Sequence, residues 1–182
     1  DIGLAVKEVI EKGGLASDEQ IVKLLEKTIR RIRMQTRARG FLFDGFPRTF
    51  VQAYILEGLL LKMHTSLMNL FSIEVPPEVC IERMLHRASI EGRVDDRREV
   101  IDVRLREYRE KTEPVLGFYQ EKGILVPIDG KVAPDAVFEQ ITTAGDQSLR
   151  QVHLNVVVLG APGSGRSPQA KQLAHQYNLH YM

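Results

Sequence analysis

Cysteine is almost absent from this chain of 182 residues, which contains Cys80 and no other. A single thiol excludes an internal disulfide and any metal site built from several cysteines. It suits a reducing compartment, so we expect a cytoplasmic protein. The five histidines are scattered without metal-ligand spacing and predict no metal site of their own.

The chain also lacks an excess of charge and any long apolar run. Its 25 basic and 24 acidic residues leave a net charge of +1, which indicates no general surface for nucleic acid. The run Leu59-Leu60-Leu61 is short and has charged or polar flanks, so it is no membrane span. We therefore expect neither nucleic acid nor membrane as a partner. The content of hydrophobic residues, 43%, is enough for one well-packed domain.

Apolar strand patterns alternate with helical patterns along the sequence. Strands separated by helices indicate an α/β protein whose parallel sheet is covered on both faces. The predicted strands lie at residues 41–43, 70–75, 124–128, 153–159 and 179–182. The predicted helices lie at residues 4–11, 18–36, 51–62, 77–87, 99–122, 134–142 and 170–176. Ser17 or Asp18 is the expected N-cap of the second helix.

The most informative stretch is a glycine-rich loop, Gly160 to Ser167, close to the end of the chain. It follows the apolar run 156–159 and leads into a helical pattern, so backbone N–H groups and the helix dipole would form an anion site. The spacing matches the G-x-x-x-x-G-K-[ST] phosphate loop, except that Arg166 stands in place of the lysine. Ser167 would offer its hydroxyl to Mg²⁺. The alternative is an ordinary glycine-rich turn, but the flanking strand and helix favour phosphate binding.

A second informative string runs from Gly40 to Thr49, with Gln52 one helical turn further on. Asp44 ends a buried strand, where a parallel sheet presents its ligands and where a carboxylate can hold metal-bound water. Arg48 leaves a rigid Gly-Phe-Pro turn, which suits the bidentate capture of a phosphate. This string therefore predicts a second part of a phosphate site.

Four arginines form the third candidate set. Arg83 and Arg87 lie one helical turn apart, and Arg93 and Arg104 flank a polar insertion. A solvated helix face would explain any one of them taken alone. Their grouping favours a mobile clamp that follows the charge of a transferring phosphoryl group and excludes water.

Taken together, these motifs resemble the adenylate kinase family. The string Gly40 to Thr49 with Gln52 is similar to the family segment GFLxDGFPRTxxQA. The other segments that resemble the family are residues 83–87, 91–96, 104–108, 112–115, 118–119 and 128–130. The resemblance implies reversible transfer of the γ-phosphoryl group of ATP to AMP, with Mg²⁺, giving two ADP. The short lid without cysteines is similar to that of the members that lack zinc.

The resemblance also implies roles for individual residues. Catalysis falls to the arginines Arg87, Arg93, Arg104 and Arg166. ATP binding falls to Gly160, Pro162, Gly163, Ser164, Gly165, Arg166, Ser167, Arg83 and Gly130. AMP binding falls to Gly14, Leu15, Gly45, Arg48, Gln52, Arg93 and Arg104. Metal binding falls to Ser167 and, through water, to Asp44.

The implied fold is a P-loop NTPase-type three-layer α/β/α sandwich with a five-stranded parallel sheet, AMP-binding helices and a short lid. The implied division of the chain has three parts: a body at residues 1–143, a linker at 144–151, and the glycine-loop strand and helix at 152–182. Within the body, the AMP-binding helices would lie at 1–36 and the lid at about 88–97. We expect residues 155–159 to fill the centre of this sheet, beside residues 41–44. The alternative is that the last residues begin a following kinase domain.

The order of the motifs departs from that of the family, because the glycine loop comes last. The sequence does not begin with Met, and it lacks a Ser/Thr-x-Gly-x-Leu-Leu-Arg stretch that normally brings a second arginine to the AMP phosphate. We interpret the chain as a piece of a tandem kinase or as a circular permutant, and the missing stretch favours the piece. We expect a monomer or part of a longer tandem chain. An active kinase and a nucleotide-binding module with little turnover both stay open, with a purely structural domain as a third reading.

Overall fold

The computed structural model describes residues 17–35, 40–92, 96–149 and 154–182. These ranges contain five strands: β1 (Gly40–Asp44), β2 (Asn69–Glu74), β3 (Leu125–Asp129), β4 (Leu154–Gly160) and β5 (His180–Tyr181). They form one sheet in the order β3-β2-β4-β1-β5, and neighbouring strands pair in parallel. This confirms the predicted α/β fold with a five-stranded parallel sheet.

Helices connect these strands. Their bounds are α1 (Asp18–Gln35), α2 (Phe50–Lys62), α3 (Pro77–Glu91), α4 (Arg98–Glu107), α5 (Glu113–Glu121), α6 (Pro134–Leu149) and α7 (Arg166–Tyr177). A π-helical turn, Tyr108–Thr112, joins α4 to α5. Helix α1 begins with a capping box, in which Ser17 Oγ accepts from the Gln20 N–H and Gln20 Oε1 accepts from the Ser17 N–H, both at 3.3 Å.

Strand β4 lies at the centre of the sheet, between β1 and β2. Its register against β1 pairs Phe41 with Asn155 and Asp44 with Val158, so the predicted position beside residues 41–44 is confirmed. Asn155 also fixes the strand through its side chain, which donates to the Thr65 hydroxyl at 2.9 Å. The glycine loop therefore emerges in the middle of the sheet, at the carboxyl ends of the strands.

The two faces of the sheet are packed by different helices. Successive residues of a strand point to opposite faces, so Val157 and Phe43 pack with buried residues of α1, α2 and α5. Val156, Val158 and Leu42 pack with buried residues of α6 and α7. The result is the three-layer α/β/α arrangement, and burial on both faces explains why β4 is apolar at consecutive positions.

Helices α3 and α6 continue well past the ends that the sequence pattern predicted. Helix α6 continues to Leu149, so the prediction of a helix end at residue 142 followed by a linker is wrong for residues 144–149. Gly145 is buried within this helix, and packing there outweighs the weak helix propensity of the segment. Helix α3 continues to Glu91 and ends at Gly92 with a φ of 63°, so residues 88–91 of the predicted lid are helical.

Some predicted elements lie outside the described residues. They are the helix at 4–11, the centre of the lid at 93–95 and the segment 150–153. Within the four described ranges, no helix combines the length and the apolar character needed to cross a membrane.

Candidate active site

The glycine loop between β4 and α7 is tight and closely packed. Gly163 and Gly165 have φ values of 81° and 83°, which side chains rarely adopt. A Cβ at Gly160 would lie 2.8 Å from the carbonyl oxygen of Ile73 and would also meet Ser164 Oγ. The loop therefore needs glycine at these positions for its curvature and for its close approach to β2.

The loop borders a cavity of about 230 Å³, called here the loop cavity. Its lining residues are Arg83, Arg87, Arg104, Pro162, Gly163, Ser164, Gly165, Arg166, Ser167 and Pro168. The structure thus brings three of the predicted clamp arginines to the predicted phosphate loop. Within the described residues, Ser164 Oγ is buried and has no hydrogen-bond partner, so a polar atom is available to a ligand at the loop.

Arg83 and Gly130, which the resemblance assigned together to ATP, are also adjacent in space. Arg83 Nη1 donates to the carbonyl oxygen of Gly130 at 3.0 Å. This contact joins α3 to the turn that follows β3. It places a planar guanidinium at the end of the loop cavity away from the sheet centre, where a flat base could stack on it.

A buried carboxylate positions the other two clamp arginines. Asp96 is fully buried. It accepts from Arg87 Nε at 2.6 Å, from Arg87 Nη2 at 2.9 Å and from Arg104 Nη1 at 2.8 Å. These charge-assisted bonds fix both guanidinium groups at the border of the loop cavity.

Arg166 is turned toward the sheet and does not extend along the loop. Its Nε donates to Asp44 Oδ1 at 3.2 Å, and its Nη1 donates to the carbonyl oxygen of Gly160 at 2.8 Å. The other carboxylate oxygen of Asp44 accepts from the Tyr181 hydroxyl. Burial raises the pKa of Tyr181 to about 12, with a further contribution from Asp44, so this phenol stays a donor at neutral pH.

Arg48 lies close to Arg166 at Gly45. A Cβ at Gly45 would lie 3.0 Å from Nη2 of both Arg48 and Arg166, so the two guanidinium groups both lie close to this glycine. Burial, together with the positive charges of Arg166 and Arg104, lowers the pKa of Arg48 to about 10, while Asp44 opposes the shift. Like charges gathered in this way favour the binding of an anion between them.

Gln52 is held in place behind Arg48. Its Oε1 accepts from the Arg48 N–H at 2.7 Å, and its Nε2 donates to Asp18 Oδ1 at 2.8 Å. Thr49 caps α2 by accepting from the Gln52 N–H at 3.2 Å, and its hydroxyl donates to Asp18 Oδ1 at 2.9 Å. The start of α1 and the start of α2 are thereby tied to one another.

A second and larger cavity, of about 420 Å³, lies between α1 and the turn after β1, and is called here the helix cavity. Its lining residues are Ile21, Leu24, Leu25, Thr28, Phe43, Asp44, Gly45, Phe46, Arg48, Gln52, His180, Tyr181 and Met182. This volume is within the range of about 300–1,000 Å³ usual for small-molecule sites. An apolar wall with a few polar groups suits a flat base carrying a charged group.

The ion pair of Asp44 and Arg166 lies between the two cavities. Asp44 lines the helix cavity, and Arg166 lines the loop cavity. Two sites with cationic side chains therefore meet at one point of the sheet edge. Such an arrangement can place two phosphate-bearing ligands end to end.

Three of the predicted site residues lie outside the described residues. They are Gly14, Leu15 and Arg93. The other predicted residues line one of the two cavities, apart from Gly160 and Gly130, which contact lining residues.

Sequence reasoning missed three residues that the structure places in the site. Asp96 and Asp18 hold functional side chains through long-range hydrogen bonds, and Tyr181 binds Asp44. Asp96 stands close to a predicted clamp arginine in the sequence, so a search for carboxylate partners could have found it. No local signal distinguishes Asp18 from an ordinary first-turn acid, or Tyr181 from a strand residue.

Comparison with known proteins gives a consistent result. A family model described as adenylate kinase matches residues 1–124. An adenylate kinase of Thermus thermophilus is 40% identical over 143 residues, which is 79% of this chain and 73% of that protein. Adenylate kinases of Xylella fastidiosa (strain 9a5c) and Xanthomonas campestris pv. campestris (strain 8004) are each 40% identical over 79% of this chain and 75% of their own length.

Proposed function

The chain belongs to the adenylate kinase family, and we propose that it transfers the γ-phosphoryl group of ATP to AMP, giving two molecules of ADP. Its relatives support a nucleoside monophosphate kinase activity. The observation that carries the proposal for this chain is the meeting of two cavities at Asp44 and Arg166, one beside a phosphate loop and one beside Arg48 and Gln52.

ATP would occupy the loop cavity. Its phosphates would accept from the backbone N–H groups of the glycine loop and from the first turn of α7, where the helix dipole favours negative charge. The adenine would lie toward Arg83 and Gly130, which are bonded to each other at 3.0 Å. The unpaired hydroxyl of Ser164 provides one more donor at the loop.

AMP would occupy the helix cavity. The phosphate of AMP would lie beside Arg48 and point toward the loop cavity. The Nε of Arg48 already donates to the carbonyl oxygen of Gly45 at 2.5 Å. This bond fixes the guanidinium and leaves its Nη groups for the phosphate. Gln52 would contact the adenine, since it lines the same cavity.

Transfer joins the two sites directly. An AMP phosphate oxygen would form a bond with the γ-phosphorus as the bond from that phosphorus to the bridging oxygen of ATP breaks. Charge spreads over the transferring group at this moment, and fixed cations around it lower the barrier. Arg87 and Arg104, both held by Asp96, would supply that charge.

We infer that Asp44 can still hold a metal ion through water, because each of its carboxylate oxygens accepts one hydrogen bond and keeps a further lone pair. One oxygen of Asp44 accepts from Arg166 and the other accepts from Tyr181. Among the residues described, no group of three or more acidic, histidine or cysteine side chains could hold a metal ion. Mg²⁺ is usually held by one or two protein groups together with substrate phosphates, so a larger group is not required. Ser167 remains as a proposed hydroxyl ligand for an ion that ATP brings with it.

A coupled assay of ADP formation tests the proposal. Purified protein with ATP and AMP should form ADP, and omission of AMP should reduce the rate to that of ATP hydrolysis. Arg48→Ala should lower the rate with AMP about 100-fold or more, because one fixed phosphate ligand is lost. Arg106→Ala, which removes an exposed arginine of α4, is the matched control. Equal rates for wild type and Arg48→Ala would overturn the assignment of AMP to the helix cavity.

A second candidate function is a nucleotide-binding module with little turnover. The observation that favours it is the engagement of Arg166 by Asp44 and by the carbonyl oxygen of Gly160. A guanidinium used in this way cannot follow the phosphates as the ammonium of a phosphate-loop lysine does. Calorimetric binding of ATP without formation of ADP would favour this function over the kinase.

A further inference from the structure

The side-chain amide of Gln52 is held at both ends. Oε1 accepts from the N–H of Arg48 at 2.7 Å, and Nε2 donates to Asp18 Oδ1 at 2.8 Å. Gln52 is 2% exposed, so water cannot replace these partners readily. The amide therefore has one defined orientation.

The two neighbours make that orientation unambiguous. A backbone N–H is only a donor, and an ionised carboxylate is only an acceptor. Turning the amide over would set Nε2 against the N–H of Arg48 and Oε1 against the carboxylate of Asp18. Both contacts would change from attraction to repulsion.

Gln52 faces the helix cavity, while Asp18 is not among the residues that line it. Asp18 can therefore affect a ligand in that cavity through Gln52. The amide keeps capacity for such a ligand, because Oε1 has a second lone pair and Nε2 has a second hydrogen. A base in the cavity meets an amide oxygen and an amide N–H in a fixed order.

This order distinguishes the two purines. Adenine has an amino donor next to a ring-nitrogen acceptor, and an amide can bind both. Guanine has a carbonyl oxygen where adenine has the amino group. In the fixed orientation, Oε1 of Gln52 would face that oxygen, and two acceptors repel. Turning the amide over would remove the repulsion, but Asp18 opposes the turn.

We propose that Asp18 is a positioning residue which fixes the Gln52 amide and so makes the helix cavity select adenine over guanine in a nucleoside monophosphate. The inference rests on the proposed use of that cavity for the acceptor nucleotide. It extends that proposal by naming a specificity-determining residue that has no contact with the base.

Equilibrium binding of AMP and GMP to the full chain tests the proposal. Calorimetry is suitable, since the sequence contains no tryptophan to report binding by fluorescence. Wild type should bind AMP more tightly than GMP. Asp18→Ala should lower the ratio of the two affinities about fivefold, the effect of one lost hydrogen bond. The N–H of Arg48 still holds Oε1 in this variant, so the preference should decrease but not reverse.

Two further variants separate positioning from folding. Asp18→Asn keeps the size of the side chain but can donate as well as accept, so it no longer opposes the turned Gln52 amide and the ratio should fall below that of wild type. Glu19→Ala removes the neighbouring acid of α1, whose carboxylate binds Lys23 at 2.6 Å and not Gln52, and should leave the ratio unchanged. A thermal melt of each variant records any loss of stability.

The outcomes are distinct. If Asp18→Ala weakens AMP and GMP by the same factor, Asp18 is merely structural and the inference is overturned. Wild-type affinities for both nucleotides in Asp18→Ala overturn it as well. If wild type binds neither nucleotide, the proposed acceptor site itself fails, and this inference fails with it. If wild type binds AMP but forms no ADP, only the proposed kinase activity is contradicted.

Discussion

Arg166 and Asp44, which are 122 residues apart in the sequence, are joined by a hydrogen bond of 3.2 Å from the guanidinium Nε to Oδ1. The pair stands at the point where the loop cavity and the helix cavity meet. Because the guanidinium of Arg166 and the carboxylate of Asp44 bind each other, each is less available to a ligand. We therefore expect this pair to influence the rate at which the chain turns over its nucleotides.

The variant Arg166→Lys should increase ADP formation about tenfold. Lysine lacks the planar fork that reaches both Asp44 and the carbonyl oxygen of Gly160. Its ammonium group would be free to follow the phosphates as negative charge develops in the transition state. The measurement is the coupled rate with saturating ATP and AMP.

Arg106→Lys makes the same chemical change on an exposed part of α4 and should leave the rate unchanged. An Arg166→Lys rate equal to or below that of wild type would show that the arginine is not the obstacle to turnover. Calorimetric binding of ATP to both variants shows whether any change in rate comes from affinity.

The close packing of the glycine loop leads to a prediction about stability. Gly160→Ala should lower the free energy of unfolding by about 2 kcal/mol, because its Cβ would lie 2.8 Å from the carbonyl oxygen of Ile73. Gly58→Ala is the matched control, since a Cβ at this exposed position of helix α2 meets nothing within 4 Å. That variant should raise stability by about 0.5 to 1 kcal/mol through helix propensity. Urea denaturation measures the free energy of unfolding of both variants. A Gly160→Ala variant as stable as wild type would contradict the observed contact.

The sequence allowed the central part of the fold to be predicted. Residues 155–159 are mostly apolar at consecutive positions and lead into the glycine loop, which is typical of a strand buried on both faces. Their place beside residues 41–44 followed from this and is present in the structure. The end of α6 could not be predicted, because residues 144–149 have the composition of a linker and are helical owing to tertiary packing.

The site was predictable only where its residues form continuous strings. The glycine loop and the turn at 44–49 each carry their chemistry in consecutive residues. The pairs that fix the geometry join distant segments, as Gln52 with Asp18 and Asp44 with Tyr181 do. Local pattern and spacing contain no information about such pairs, since they depend on how the helices pack against the sheet.

The buried carboxylate of Asp96 supports a prediction about the clamp. Asp96→Ala should lower the free energy of unfolding by about 2 kcal/mol, because Arg87 and Arg104 lose a charged partner inside the protein. It should also weaken ATP binding, since both guanidinium groups lose the carboxylate that positions them beside the loop cavity. Asp102→Ala, at an exposed position of helix α4, is the control for both measurements. If Asp96→Ala keeps the stability and the ATP affinity of wild type, these ion pairs contribute to neither property.

The contribution of Tyr181 to stability should be measurable at alkaline pH. Its pKa is raised to about 12 by burial and by its bond to Asp44, while the ordinary value of 10.0 applies to the unfolded chain. A pKa raised in the folded state means that the stabilisation is fully present below pH 10. It is lost as the pH rises from 10 toward 12.

Chemical denaturation between pH 9 and pH 12 measures this loss. Wild type should become steadily less stable over that interval, and Tyr181→Phe should show a shallower decline because one titrating phenol is removed. Some decline should remain in the variant, since burial also raises the pKa of Tyr108 to about 12. Tyr54→Phe, which changes a side chain that is 61% exposed, should keep the wild-type slope. Identical slopes for wild type and Tyr181→Phe would mean that the pKa of Tyr181 is not raised in the folded protein.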